Sequence, residues 1–214
     1  MNDFIDAYCE RIGPEFWAEP INALTNLAFI VAGIAASIEA ARAERRSRRD
    51  VAVWLLIALI FAIGIGSFLF HTFAVVWAAM ADVIPIGLFI LAYTYLALTR
   101  FARLAYWVGL IGVVVVIAMA FGLPGGPYGA ALAAMAAIGL YLTFRQRHPA
   151  GAILLWAAGT FAVSLTLRTI DEPLCESLHM GTHFLWHLLN GVVLYLVTHA
   201  MIRYGRKIPS QGET

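Results

Sequence analysis

The sequence predicts an all-α membrane protein, a seven-transmembrane helix bundle with its N-terminus outside (or in a lumen) and its C-terminus in the cytosol. Three observations predict it. Of 214 residues, 62% are hydrophobic and only 13% charged, where a soluble domain carries about 25% charged residues. Seven apolar stretches are long enough to cross a ~30 Å hydrocarbon layer. The basic residues alternate strictly between the connections on the two sides of those stretches. Lipid-exposed backbone must bond internally, and nothing here shows the alternation of a barrel, so the spans are helices. The chain reads as one membrane domain over 1–214: an outer N-terminal segment at 1–20, a bundle at 21–202 and a cytosolic tail at 203–214.

The spans in order are 21–41, 51–70, 80–99, 104–122, 128–144, 150–168 and 180–202. The first follows an acidic stretch with no basic n-region, so it is expected to stay in the membrane rather than to be cleaved as a signal peptide. The second ends in Ser67-Phe68-Leu69-Phe70-His71, the third carries Asp82, and the seventh opens with His183-Phe184-Leu185-Trp186-His187. Gly and Ala are abundant throughout, which suits close helix packing in lipid. Lys207, in the tail, is the only lysine, which excludes a retinal Schiff base inside the bundle.

Charge placement orients the bundle. Arg42, Arg45, Arg46, Arg48 and Arg49 lie between spans one and two. Arg100 and Arg103 follow span three, Arg145 and Arg147 follow span five, and Arg203, Arg206 and Lys207 follow span seven. Only Arg11 and Arg168 fall on the other side, so twelve of fourteen basic residues mark the cytosolic face. The outer side collects Asp3, Asp6, Glu10, Glu15 and Glu19, then Asp171, Glu172 and Glu176. Loop charges of this kind are commonly just solvated.

Depth then selects a site. Span two runs outward and spans three and seven run inward, so His71, Asp82, His183 and His187 all fall in one layer near the outer face. Ionisable groups at that depth are functional candidates by default. His183 and His187 are one helical turn apart and can converge on one ion. His179 shares their stripe but is about 12 Å from His187 along the axis, and His199 is about 18 Å deeper. His148 belongs to a cytosolic loop, which leaves His71 as the third ligand. Isolated membrane histidines also serve simply as hydrogen-bond partners between helices. Three imidazoles with one open position suit zinc and an activated water. Asp82 is placed to take that water's proton or to orient an imidazole, and Ser67 to bond an oxyanion or its own helix backbone. The reaction class that uses these parts is amide or ester hydrolysis of a lipid entering from the membrane.

These residues resemble the alkaline ceramidase family, within a wider group of seven-helix lipid hydrolases that includes the adiponectin receptors. The blocks that carry the resemblance are Tyr8-Cys9-Glu10 with Ala18 to Asn26, then Gly66 to His71 with Asp82, then His183 to His187. The short, Ala- and Arg-rich form looks like a bacterial member, placed in the inner membrane. The resemblance implies zinc on His71, His183 and His187, with Ser67 and Asp82 catalytic. It implies a ceramide-like membrane lipid as substrate, cleaved to a fatty acid and a sphingoid base, and no nucleic-acid partner. It also implies a calcium site at Glu10 and Glu19, although Ala7 and Ile12 depart from the pattern and leave that site remodelled, weak or absent. Glu19 beside Asn22 is alternatively placed to hold the N-terminal segment on the bundle. Cys9 and Cys175, both on the outer side, are paired by the resemblance as a disulfide near the metal site. Hydrolysis of another N-acyl or ester lipid is the second reading. A seven-helix lipid receptor with structural zinc is the reading of a different class.

Overall fold

The computed structural model describes residues 1–44 and 49–205. Arg45, Arg46, Arg48, Arg206 and Lys207, part of the basic pattern, lie outside the described residues. The architecture is helical, and among the described residues the sole extended pairing is an isolated bridge between Phe4 and Val75.

Among the described residues eight α-helices follow in order. A short α1 (Pro20–Thr25) leads into α2 (Leu27–Glu44), and α3 (Val51–Phe73) and α4 (Val76–Leu96) come next. Then come α5 (Tyr106–Gly122), α6 (Gly126–Leu140), α7 (Ala150–Thr169) and α8 (His183–Tyr204). Single π-helical turns extend α4 through Phe101 and α6 through Arg145. Six of these units are long and apolar enough to cross a membrane: Pro20–Glu44, Val51–Phe73, Val76–Phe101, Gly126–Arg145, Ala150–Thr169 and His183–Tyr204. The chain is therefore an integral membrane protein. Helix α5, at 17 residues, is a shorter apolar helix; at 1.5 Å per residue it is about 26 Å long.

The first span is broken where a continuous helix was expected over 21–41. Pro20 opens α1 at a position where its missing N–H costs nothing. The chain turns at Asn26, whose side-chain amide donates to the Asn22 carbonyl at 2.9 Å. Helix α4 begins at Val76, four residues before the expected start, after a tight reversal at Ala74 with φ +47°. Helix α8 begins at His183, three residues later than expected.

Helices α3 and α8 are the most buried. Helix α3 packs chiefly on α4, and α8 on α7 and α2. At one end of the bundle, Asp50 caps α3 by accepting from the Ala52 N–H at 3.1 Å. It also pairs with Arg100 at 2.6 Å. At the other end the N-terminal segment lies across the α3–α4 reversal, with the Ile5 N–H donating to the Ala74 carbonyl at 2.8 Å. That second end carries the histidines.

Candidate metal centre

Helices α3 and α8 supply the three imidazoles. His71 occupies the last turn of α3, while His183 and His187 occupy the first two turns of α8. All three are buried, and each offers one nitrogen within 4.8 Å of those of the other two. Ring centroids are separated by 4.7 Å for His71–His187 and His183–His187, and by 5.2 Å for His71–His183.

Each ring is fixed from outside the cluster. His71 Nδ1 lies 2.7 Å from Glu19 Oε2, and His187 Nδ1 lies 2.9 Å from the Thr25 hydroxyl. The His183 ring stacks on Tyr8 with centroids 3.6 Å apart. Outer partners of this kind set tautomer and orientation in metal-binding histidines. The inner atoms tell the complementary story: Nε2 of His71, Nε2 of His187 and Nδ1 of His183 are buried with no hydrogen-bond partner. A buried polar atom left unsatisfied costs about 1–3 kcal/mol. Three such nitrogens in one cluster fit a metal ion, and a neutral three-imidazole donor set fits zinc.

The start of α8 is set by Asp171. One of its oxygens accepts the N–H of Thr182 at 2.6 Å and of His183 at 2.9 Å, and the other accepts the Cys9 N–H at 3.1 Å. Gly181 makes this approach feasible. Its φ is +63°, and a Cβ there would stand 2.1 Å from an Asp171 oxygen. Cys9 and Cys175 form a disulfide, with Cα atoms 5.0 Å apart, that ties the N-terminal segment to the loop before α8.

Ser67 lies one turn before His71 on α3 and faces the Asp82 carboxylate on α4. Gly66 sets this approach, because a Cβ there would stand 2.0 Å from the Ala81 carbonyl oxygen. Asp82 Oδ1 is buried and has no partner. A proton acceptor and a hydroxyl donor thus stand together in the site, within Coulombic reach of His71.

Glu10 and Glu19 do not form an open calcium site. Both Glu10 oxygens accept backbone N–H groups at the start of α1, from Ile21 and Asn22 at 2.7 Å each. Burial nevertheless pushes the Glu10 carboxyl above its ordinary range, against those hydrogen bonds. Glu19 is engaged by Arg11, His71 and the Asn22 amide. Arg11 continues to the carbonyl oxygens of Gly13 and His71, at 2.9 Å each. A guanidinium therefore occupies the place where carboxylate and carbonyl oxygens converge, and these residues do not fit a calcium ion. Burial alone would raise the Glu19 pKa, but the bond to His71 and the Arg11 charge outweigh it and hold Glu19 below the usual carboxylate range. Its position beside Asn22, holding the N-terminal segment on the bundle, matches the alternative role.

The other histidines are elsewhere. His179 is exposed in the loop before α8, not on a helical stripe with His183, because the backbone turns at Gly181. His148 packs near Phe101 at the opposite end. His199 bonds Glu39 at 2.8 Å, and Glu39 also pairs with Arg203 at 2.7 Å. Glu39 on α2 thus links to two residues of α8 at the end of the bundle away from the histidine cluster.

Sequence reasoning missed the partners: Glu19 behind His71, Thr25 behind His187, Asp171 under His183 and Tyr8 against its ring. Tyr8 was visible only as part of a motif, and Arg168 only as a stray basic residue. In the structure the Tyr8 hydroxyl accepts from Arg168 at 3.3 Å. Burial raises the Tyr8 pKa, so the phenol stays neutral.

Beside the cluster lies an apolar cavity of about 800 Å³, counting space open to the outside, between α2, α3, α4, α6, α7 and α8. Trp186, next to His187 in sequence, and Phe29, whose ring is 6.1 Å from that of His187, lie at its edge. Val197 lies farther along α8 in the same lining.

The sequence model of the ceramidase family matches residues 7–213, and no curated protein matches the chain. That match runs from the disulfide-bonded N-terminal segment through both helices of the histidine cluster, and the chain belongs to the ceramidase family.

Proposed function

We propose that the protein is a zinc-dependent lipid amidase that hydrolyses the N-acyl bond of ceramide or a ceramide-like lipid to a fatty acid and a sphingoid base. The observation that carries this reading is the trio of buried imidazoles from α3 and α8, each with a nitrogen that no protein group satisfies. His71, His183 and His187 would hold the ion, and Glu19 and Thr25 keep two of the rings aimed at it. Zinc held there supplies Lewis acidity, which brings the pKa of water toward neutrality and polarises a carbonyl. Asp82 receives the proton of the attacking water at Oδ1 and returns it to the amine nitrogen as the C–N bond breaks. The Ser67 hydroxyl donates to the oxygen that becomes negative on the attacked carbon.

The apolar cavity beside Trp186 suits the acyl chain. From Trp186 to Val197 is eleven residues of α8, about 16 Å of helix. Substrate enters from the lipid. In this reading the chain is one membrane domain that crosses the bilayer seven times, α5 included. The histidine cluster lies near the non-cytosolic face, the C-terminus is cytosolic, and the bacterial inner membrane is the location. The twelve-to-two division of basic residues supports that orientation.

Purified wild-type protein should contain near-stoichiometric zinc by elemental analysis and release fatty acid from N-acyl sphingoid bases. Asp82→Ala should keep zinc and lose product release. Zinc that survives His71→Ala would sink the ligand set. Intact ceramide with metal-loaded wild type would redirect the assignment to another N-acyl or ester lipid.

A further inference from the structure

Arg168 is the charged group at this site that the proposed chemistry leaves unused. It lies in the last turn of α7, one tyrosine ring away from His183: its guanidinium donates to the Tyr8 hydroxyl, and the Tyr8 ring stacks on that histidine. Three aromatic rings surround it, with centroids 5.1 Å away for Tyr128, 5.5 Å for Trp186 and 6.0 Å for Tyr8. Tyr128 and Trp186 also line the apolar cavity. Cation–π contacts retain a guanidinium, but ring faces leave its planar fork of five N–H donors largely unmatched. Among the described residues the Tyr8 oxygen, at a long 3.3 Å, is its one hydrogen-bond partner. Among the described residues no carboxylate lies within 4.0 Å of it. An arginine in the last turn of an apolar helix, with no carboxylate in contact, is a functional candidate.

Asp82 lies within Coulombic range of Arg168. Its Oδ1 is buried and unpartnered, and it feels the Arg168 charge without touching it. An anion and a cation face one site, and neither neutralises the other at contact distance. Both charges lie within Coulombic reach of the Tyr8 and Tyr128 hydroxyls. Amide hydrolysis creates one new anion there: water adds its oxygen to the carbonyl carbon, the C–N bond breaks, the nitrogen leaves protonated, and the acyl fragment becomes a carboxylate.

We propose that Arg168 is the carboxylate-binding residue of this site, taking the head of the released fatty acid while its chain occupies the cavity beneath Trp186. The assignment rests on the amidase reading. A planar guanidinium matches the two oxygens of a carboxylate and discriminates against a neutral amide or alcohol. The residue thereby sets how strongly the product is retained.

Binding of a sixteen-carbon fatty acid and of the alcohol of the same length, measured by calorimetry on the zinc-loaded full chain in detergent, tests this directly. Arg168→Gln should weaken acid binding about tenfold or more, the loss of a charge-assisted hydrogen bond, and leave alcohol binding unchanged. Arg168→Lys, which keeps the charge and stem, should fall between and covers the case in which the glutamine variant does not fold. Acid inhibition of turnover should weaken in parallel. Equal acid affinity in wild type and variants would overturn the proposal, as would equal losses for acid and alcohol. A KM change confined to substrates with an anionic head group would reassign Arg168 to that head group and likewise overturn it. Arg168-dependent acid binding by a protein that cleaves no lipid amide would sink the amidase reading alone. Active hydrolysis with acid binding indifferent to Arg168 would sink this proposal alone.

Discussion

The two ends of the bundle carry the same trio of residue types, a glutamate bridging a histidine and an arginine, with opposite consequences. At one end Glu19 joins His71 and Arg11, with side chains between 0% and 3% exposed. At the other Glu39 joins His199 and Arg203, which are 28% and 61% exposed. In the first trio the far nitrogen of the histidine is buried and unsatisfied beside two more imidazoles. In the second the histidine neighbours Tyr195, whose hydroxyl also reaches Glu39 at 3.4 Å. Composition therefore does not distinguish a site from a surface link. What distinguishes them is whether the last polar atom has somewhere to go. Exposed ion pairs contribute roughly 0–1 kcal/mol, whereas a buried trio tolerates the loss of no member.

The largest expected effect follows from removing the imidazole itself. Because a Lewis acid contributes several kcal/mol and each 1.36 kcal/mol is tenfold in rate, His71→Ala should lower amidase turnover by about 10³-fold or more. Zinc content should fall with it, and chelation of the wild type should reproduce the loss. Full activity in chelated protein would remove the metal from the mechanism. Next comes Glu19→Gln. It leaves the buried Arg11 without a counter-charge, for a stability loss of about 3–5 kcal/mol. It also frees His71 Nδ1, and outer partners of metal-bound histidines are typically worth about 10- to 100-fold in metal affinity. Competition with a chromogenic chelator and thermal melting in detergent read the two effects separately; unchanged zinc retention would reduce Glu19 to a structural ion pair.

The legibility of the two ends differed for the same reason. The i,i+4 spacing of His183 and His187 and the depth of His71 were readable, because span order and helical pitch fix both. The partners were not. Glu19 stood out as a calcium candidate or a tether beside Asn22, not as a partner of His71, and its reach to His71 depends on the N-terminal segment folding back across the α3–α4 reversal. Arg11 looked like a stray basic residue until its three acceptors were known. The helical stripe assigned to His179 failed because Gly181, at φ +63°, turns the chain before α8 begins. The break at Asn26 was hidden because α1 and α2 are both apolar enough to read as one span. Sequence periodicity reports which face of a helix is apolar. It does not report which irregular segment comes to lie against that face.

Gly66 offers an intermediate test on the functional end. A methyl group there would stand 2.0 Å from the Ala81 carbonyl oxygen, so Gly66→Ala must push α3 from α4. Overpacking of this kind costs about 1–3 kcal/mol. It should separate Ser67 from Asp82 while the α3–α8 imidazoles stay together. The expected result is retained zinc with reduced turnover. Loss of zinc in step with turnover would show instead that the α3–α4 contact also sets the position of His71.

The smallest effect belongs to Glu39→Gln at the opposite end. It removes one partner from both His199 and Arg203, yet Arg203 is mostly exposed and water replaces the lost bond. Melting should shift by no more than about 1 kcal/mol in stability, and less at high salt, where such pairs are screened. Zinc content and turnover should be unchanged. The contrast with Glu19→Gln is the informative quantity, since both substitutions replace one carboxylate between a histidine and an arginine. If Glu39→Gln lowered turnover as far as Glu19→Gln does, burial and an unsatisfied imidazole nitrogen would not be what separates the two ends. The Glu39–His199 link would then have to act on the histidine cluster through α8, the one helix that carries both.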